Sequence, residues 1–237
     1  MPTVPILLYH KVADAAPATN YPAIHIPAAL FEAQMTMLSR VGRVISLADY
    51  LAYRRGQSKL PVNAVVLTFD DGYRDNYETA FPILRRLGLP ATIFLPSALI
   101  GQTNVWDPDE PKVPLLDIAQ IREMQRAGIA FESHTCTHPR LTKLPPEEAL
   151  RELRESRESL EQMLGVDVRT IAYPWGSHDA TVMGLARKAG YEAGVIVRRR
   201  TNFDHTPMLA LRRISVRPSS SPARLAWDLF RLRWRGD

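Results

Sequence analysis

Two short clusters carry most of the chemistry in this sequence of 237 residues: Thr68-Phe69-Asp70-Asp71-Gly72 and Ser133-His134-Thr135-Cys136-Thr137-His138. Each follows an apolar run that reads as a β-strand. Together they offer two carboxylates and two imidazoles, the composition of a divalent-metal site with a carboxylate to spare. A spare carboxylate beside a metal is what a hydrolase needs to deprotonate water. Residues 65–69 read as a strand covered on both faces, so two carboxylates at its end are costly to desolvate without a compensating cation. Consecutive residues near a strand end point in different directions, so one carboxylate can bind an ion while its neighbour faces the water. Asp-Asp-Gly is also good turn chemistry. His134 and His138 shift the balance, because a gap of three residues lets both imidazoles reach one ion. Cys136 lies between them at a position expected to point away.

Two further strand ends contribute. Tyr173-Pro174-Trp175-Gly176 is a rigid turn whose aromatic residues could wall a sugar-sized pocket and whose backbone N–H could stabilise an oxyanion. Leu7-Leu8-Tyr9-His10-Lys11 puts His10 at the end of the first strand, where a lone histidine is ordinarily structural.

These motifs must be held by a scaffold. Apolar segments at 4–10, 43–46, 64–70, 91–96, 129–133, 170–174, 193–197 and 211–216 alternate with helical patterns, which implies a mostly parallel sheet. The clearest helix spans 147–164, with Leu150, Leu153, Leu160 and Leu164 on one side and charges on the other. Eight such strands suggest one α/β domain over residues 1–220, a distorted TIM-like (β/α) barrel of seven or eight strands with its active site where the strands end. The motifs fall at those ends. The irregular stretch 97–114 is long enough to cap a site, and its Trp106 suits either a substrate face or a packing anchor.

Residues 221–237 form a basic amphipathic helix, expected to pack on the barrel. Leu225, Leu229 and Leu232 recur at helical spacing beside Trp227, Phe230 and Trp234. With its arginines, this is the segment that could touch an anionic membrane surface. The formal net charge of +5 gathers in Arg198-Arg199-Arg200, Arg212-Arg213 and the tail arginines 224, 231, 233 and 235, and reads as a solvated basic face rather than a nucleic-acid site. With one cysteine there is no intramolecular disulfide. No signal peptide or membrane span is evident, so the expected location is the cytoplasm; any membrane contact would be made through the last helix. No HExxH, GxSxG or phosphate-loop motif is present.

TFDDG followed by SHTCTH and YPWG resembles the polysaccharide deacetylases, the carbohydrate esterases that share the NodB homology region. The resemblance spans about residues 4–216. It implies a distorted (β/α) barrel holding one divalent ion, most often zinc and sometimes cobalt or nickel. The implied reaction removes the N-acetyl group from an N-acetylhexosamine of a glycan, releasing acetate. Asp70 would be the catalytic base, and Asp71, His134 and His138 the metal ligands. Tyr173, Pro174, Trp175 and Gly176 would form the acetate pocket and oxyanion site. Two departures accompany the match. The family usually has an arginine where Ala172 stands, holding the catalytic carboxylate, and a late Leu-x-His supplying the acid. The opening YHKV resembles the permuted branch, in which that histidine has moved to the N-terminus, making His10 the candidate acid. Arg212 and Arg213 are both candidates to replace the missing arginine. An amidase or deformylase acting on another amide, such as a lipid-linked amino sugar, and a non-catalytic glycan-binding module are the alternatives.

Overall fold

The strand β5 (Ala64–Phe69) sets the pattern for the molecule, since all six of its residues are buried. Val65, Leu67 and Phe69 join the outer core between sheet and helices, while Ala64 and Val66 join a separate inner cluster. A strand covered on both faces must be apolar throughout, which is why β5 reads as a continuous run rather than an alternation.

The computed structural model describes residues 4–14, 19–198 and 202–235, with side chains as far as residue 232. Arg199 and Arg200 of the basic run, and the side chains of Arg233, Trp234 and Arg235, lie outside the described residues. In chain order the first half of the fold comprises β1 (Ile6–Tyr9), β2 (Lys11–Val12), β3 (His25–Ile26), α1 (Ala28–Val41), β4 (Arg43–Ile45), α2 (Leu47–Arg54), β5, α3 (Phe81–Leu87) and β6 (Thr92–Leu95). The second half comprises α4 (Ile118–Arg126), β7 (Ala130–Ser133), α5 (Pro146–Leu164), β8 (Thr170–Ala172), α6 (Ala180–Lys188), β9 (Ala193–Val197), β10 (Leu211–Ser215) and α7 (Pro222–Arg235).

Seven parallel strands close on themselves in the order β1-β5-β6-β7-β8-β9-β10, with β1 seated between β10 and β5. The eighth, β4, pairs the first half of β5, and β6 pairs the second half. This is the distorted α/β barrel expected from the strand pattern. Leu47, Tyr50 and Leu51 of α2 join the inner cluster with Ile6, Val66 and Phe94, which plugs the barrel interior. A capping box starts α2: Ser46 accepts from the Asp49 N–H and Asp49 reaches back to the Ser46 N–H. Ala149, Leu153, Leu160 and Leu164 form the buried side of α5, which ends at Gly165 in the left-handed region, φ +69°.

The π-helical turn Asn76–Ala80 precedes α3, and its fully buried Asn76 donates to the His10 carbonyl at 2.7 Å. The loop after β6 is folded rather than loose. It bridges back on itself between Thr103 and Pro114, and Leu99 and Leu115 pack on Tyr73. Leu225 and Leu229 bury α7 beside α1, while Trp227 and Phe230 face outward. Among the described residues no helix is long and apolar enough to cross a membrane.

One interior carboxyl has a consequence for stability. Glu132, in register with Phe94, accepts from the backbone N–H groups of Arg169 and Thr170 at 3.0 and 2.7 Å. Burial outweighs those bonds and pushes its carboxyl up to about 8. The folded state then keeps a proton that the unfolded chain releases near pH ~4.3. The stabilisation is complete below that value and is lost as pH rises through the folded value. Glu132→Gln should therefore flatten the fall in melting temperature between about pH 5 and 8. Thermal melts across that range check this, and identical slopes in the two proteins would exclude Glu132 as the source.

Candidate metal centre and active site

Asp70 and Asp71 leave β5 through a reversal of the backbone. Asp71 and Gly72 both adopt left-handed conformations, at φ +73° and +63°. A Cβ on Gly72 would lie 2.5 Å from Leu95 Cδ2 and would force that side chain to shift, which with the left-handed backbone favours glycine. The reversal sends the neighbouring carboxylates to different partners.

The loop after β7 is built with similar strain. Thr135 and His138 hold φ +67° and +64°, an unfavourable region for residues with a Cβ and worse for a β-branched one. Hydrogen bonds compensate. The Thr135 N–H donates to Ser133 Oγ at 3.2 Å, and the His138 N–H donates to Thr135 Oγ1 at 3.1 Å. Glu152 of α5 accepts from the Cys136 and Thr137 N–H groups, both at 2.9 Å, and from the Thr137 hydroxyl at 2.7 Å. Cys136 turns its sulfur towards the Glu152 carbonyl at 3.4 Å, and burial pushes its thiol up to about 11. It takes no part in the cluster.

Asp71, His134 and His138 converge. Both Nε2 atoms lie 3.2 Å from Asp71 Oδ1, and the three ligand atoms all fall within 4.8 Å of one another. Tetrahedral coordination with bonds of about 2.0–2.1 Å places donor atoms about 3.3 Å apart, so this donor set fits a small divalent cation. All three side chains are buried. Burial alone would raise the Asp71 carboxyl, but the hydrogen bonds of His134 and His138 outweigh it and hold it well below the usual range.

Asp70 is held apart by Arg213, which is fully buried on β10. The guanidinium donates through Nη1 to Oδ1 and through Nη2 to Oδ2, both at 2.6 Å. Nη1 also reaches Thr68 Oγ1 at 3.3 Å, and Thr68 donates to the Leu7 carbonyl at 2.7 Å. Burial works against the charge on Asp70, yet the positive field of Arg213 and then of His134 keeps its carboxyl below the ordinary value. Ala172 leaves no deficit, because Arg213 supplies a bidentate cation from another strand. Arg212 faces elsewhere and brackets Asn202 through its backbone, at 2.7 and 2.9 Å. Strand alternation separates the two: Leu211 belongs to the inner cluster, and Arg213, two residues on, shares its face.

Asp70, Asp71, His134, His138, His10, Tyr173 and Trp175 border one cavity of about 200 Å³ at the strand ends. His10 is half-buried, and burial lowers its imidazole below the usual value against the pull of Asp71 and Asp70. Tyr173 borders the cavity while its ring is buried against Gly194, where a Cβ would sit 2.7 Å from Tyr173 Oη. Pro174 and Gly176 shape the turn without lining the cavity. Trp175, held at φ +60°, donates from Nε1 to the His138 carbonyl at 3.3 Å, and the Arg140 guanidinium covers it at 4.2 Å.

Other residues here receive no role from the sequence. Lys11 is buried, lines the cavity and lies 4.4 Å over the Tyr73 ring, and burial lowers its ammonium. Glu110, from the loop after β6, accepts from the Thr19 hydroxyl and from the Asn20 N–H at 2.5 Å. That clamp places Tyr21 6.4 Å from Trp175 across the mouth.

A barrel with an Asp-His-His cluster and an arginine-held carboxylate at its strand ends defines a class of hydrolase-like sites, and comparison with known proteins specifies which. The polysaccharide deacetylase family profile matches residues 57–194, and the chain belongs to that family. The match takes in both motif clusters but neither His10 nor Arg213. YxkH of Bacillus subtilis (strain 168) is 32% identical over 219 residues, covering 92% of this chain and 73% of YxkH. The poly-beta-1,6-N-acetyl-D-glucosamine N-deacetylase of Staphylococcus aureus (strain MRSA252) is 29% identical over 174 residues, which is 69% of this chain and 58% of that protein. Among solved structures, the Streptococcus pyogenes deacetylase PplD in complex with acetate superposes with a TM-score of 0.86 at 26% identity, covering 97% of this chain and 99% of PplD.

Proposed function

We propose that this protein is a metal-dependent N-deacetylase that removes acetyl groups from N-acetylhexosamine units of a glycan. The observation that carries the reading is the pairing of a three-donor cluster with a separate, arginine-clamped carboxylate. The poly-beta-1,6-N-acetyl-D-glucosamine N-deacetylase of Staphylococcus aureus and the acetate bound to PplD favour the same substrate class.

Asp71, His134 and His138 would hold the ion. A divalent ion there supplies Lewis-acid polarisation of the amide carbonyl and makes water more acidic. Asp70 takes the proton of the attacking water. Its two oxygens each give one lone pair to Arg213 and keep another for that proton. The salt bridge keeps Asp70 ionised and fixes the direction in which its free lone pairs point. His10 relays to the leaving nitrogen the proton that Asp70 took from water, because that nitrogen departs poorly as an unprotonated amide anion. The oxyanion needs a donor from the Tyr173–Gly176 turn. Pro174 has no N–H, and the Tyr173 and Gly176 N–H groups already donate to the Val195 and Tyr173 carbonyls at 3.3 and 2.9 Å, so the Trp175 amide takes that part. Trp106 and Trp175 wall the space for the acetyl group and its sugar.

The test is acetate release from β-1,6-linked N-acetylglucosamine oligomers, N-acetylglucosamine polymers and lipid-linked amino sugars. Chelator should abolish release, and zinc, cobalt or nickel should restore it. Formate in place of acetate would move the assignment to a deformylase, and turnover untouched by exhaustive chelation would end the metal-dependent reading.

A further inference from the structure

The two imidazoles of the cluster are fixed by unlike means. His134 uses its second ring nitrogen in the ordinary way, with Nδ1 2.7 Å from the Ala172 carbonyl oxygen. Metal-ligating histidines are nearly always oriented by such a bond. His138 has none: its Nδ1 is buried without a hydrogen-bond partner among the described residues. In its place lies an indole. Trp106 stacks on the His138 ring with centroids 4.4 Å apart and planes 30° apart, and Trp175 meets the same ring edge-on at 5.3 Å.

We propose that Trp106 is a positioning residue for His138, fixing that ring by stacking as the Ala172 carbonyl fixes His134 by hydrogen bonding, so that the cation affinity of the cluster depends on Trp106. The inference rests on the metal-site reading above. The torsion that turns an imidazole about its own axis is broad and poorly quantised. Without a hydrogen bond at Nδ1, packing against a flat surface is what confines the ring beyond its Nε2 contact with Asp71. Trp106 is itself confined. Tyr73 lies 6.3 Å away, and the nearby Asn104 ties the loop to itself through Pro111 and Val113 at 3.1 and 2.7 Å. The loop after β6 therefore takes part in holding the ion although it supplies no ligand. A Trp106 that only walled the sugar pocket would alter substrate KM and leave cation affinity alone.

The experiment is titration of metal-free protein with cobalt(II), read by its visible absorption and by competition with a chromophoric chelator. Trp106→Ala should weaken cobalt binding by about 10–100-fold, the range seen when a histidine loses its orienting partner, and should alter the absorption band. Trp106→Phe keeps a ring face and should retain most of the affinity. Melting temperatures of the metal-free proteins show whether folding is intact. If the alanine variant is unfolded, Trp106→Leu, which keeps apolar bulk without a flat ring, decides instead. Wild-type affinity and an unchanged spectrum in the folded alanine or leucine variant would overturn the proposal. A wild-type protein that takes up no cobalt overturns both this inference and the metal-site reading. Cobalt uptake without acetate release removes only the proposed reaction.

Discussion

Arg213→Met is expected to destabilise the fold by about 3–5 kcal/mol and to reduce turnover to near background. The cost arises from what is left behind. Asp70 is 2% exposed, and both its oxygens face the Arg213 guanidinium. Removing the arginine leaves a buried carboxylate without its cation, so it must take up a proton or draw in more water. A protonated Asp70 cannot act as a base, so stability and activity fall together. Arg213→Lys should rescue neither fully, because an ammonium cannot reproduce two parallel N–H···O bonds. The double variant Asp70→Asn/Arg213→Met separates the two effects. It removes the buried charge along with its partner and should recover much of the stability while remaining inactive. Urea unfolding of the wild type, of Asp70→Asn and Arg213→Met singly, and of the double variant gives the coupling energy. Simple additivity of the two substitutions would show that the salt bridge does not hold this end of the barrel.

The neighbouring aspartates should fail in different ways. Asp70→Asn is expected to retain the divalent ion and lose about 10²–10⁴ in kcat, the usual contribution of a positioned base. Asp71→Asn should lose the ion itself, since Oδ1 of Asp71 is the atom on which both histidines converge. Metal content after gel filtration, measured beside acetate release, distinguishes the two. An Asp70→Asn protein that loses its ion while Asp71→Asn keeps it would reverse the assignment of roles.

Much of this arrangement was legible in the sequence because the strands end where the motifs begin. The apolar runs, their spacing and the turn residues pointed to a barrel, and the two clusters lie together at its mouth. Arg213 was harder to assign, since Arg212 and Arg213 are chemically alike and only the facing of β10 distinguishes them. Leu211 was the available signal. Glu152 was hidden for a related reason. On a helix rich in charges it looked like one more solvated carboxylate, yet it caps the backbone of the loop that carries both histidines. Trp106 could be placed in a capping loop, but its stack on His138 depends on how that loop closes, which no local pattern encodes.

The seat of β1 bears on how the molecule comes into being. The strand that leads into His10 precedes both of its neighbours, β5 and β10, whose paired residues follow about 60 and 207 positions later. Until the last of them emerges, the nascent sheet has raw margins on which stray strands could pair. Such long-range joins are slow to form. Sealing this seam also brings Arg213 to Asp70, so the buried carboxylate at the end of β5 gains its cation only once β10 has taken its place.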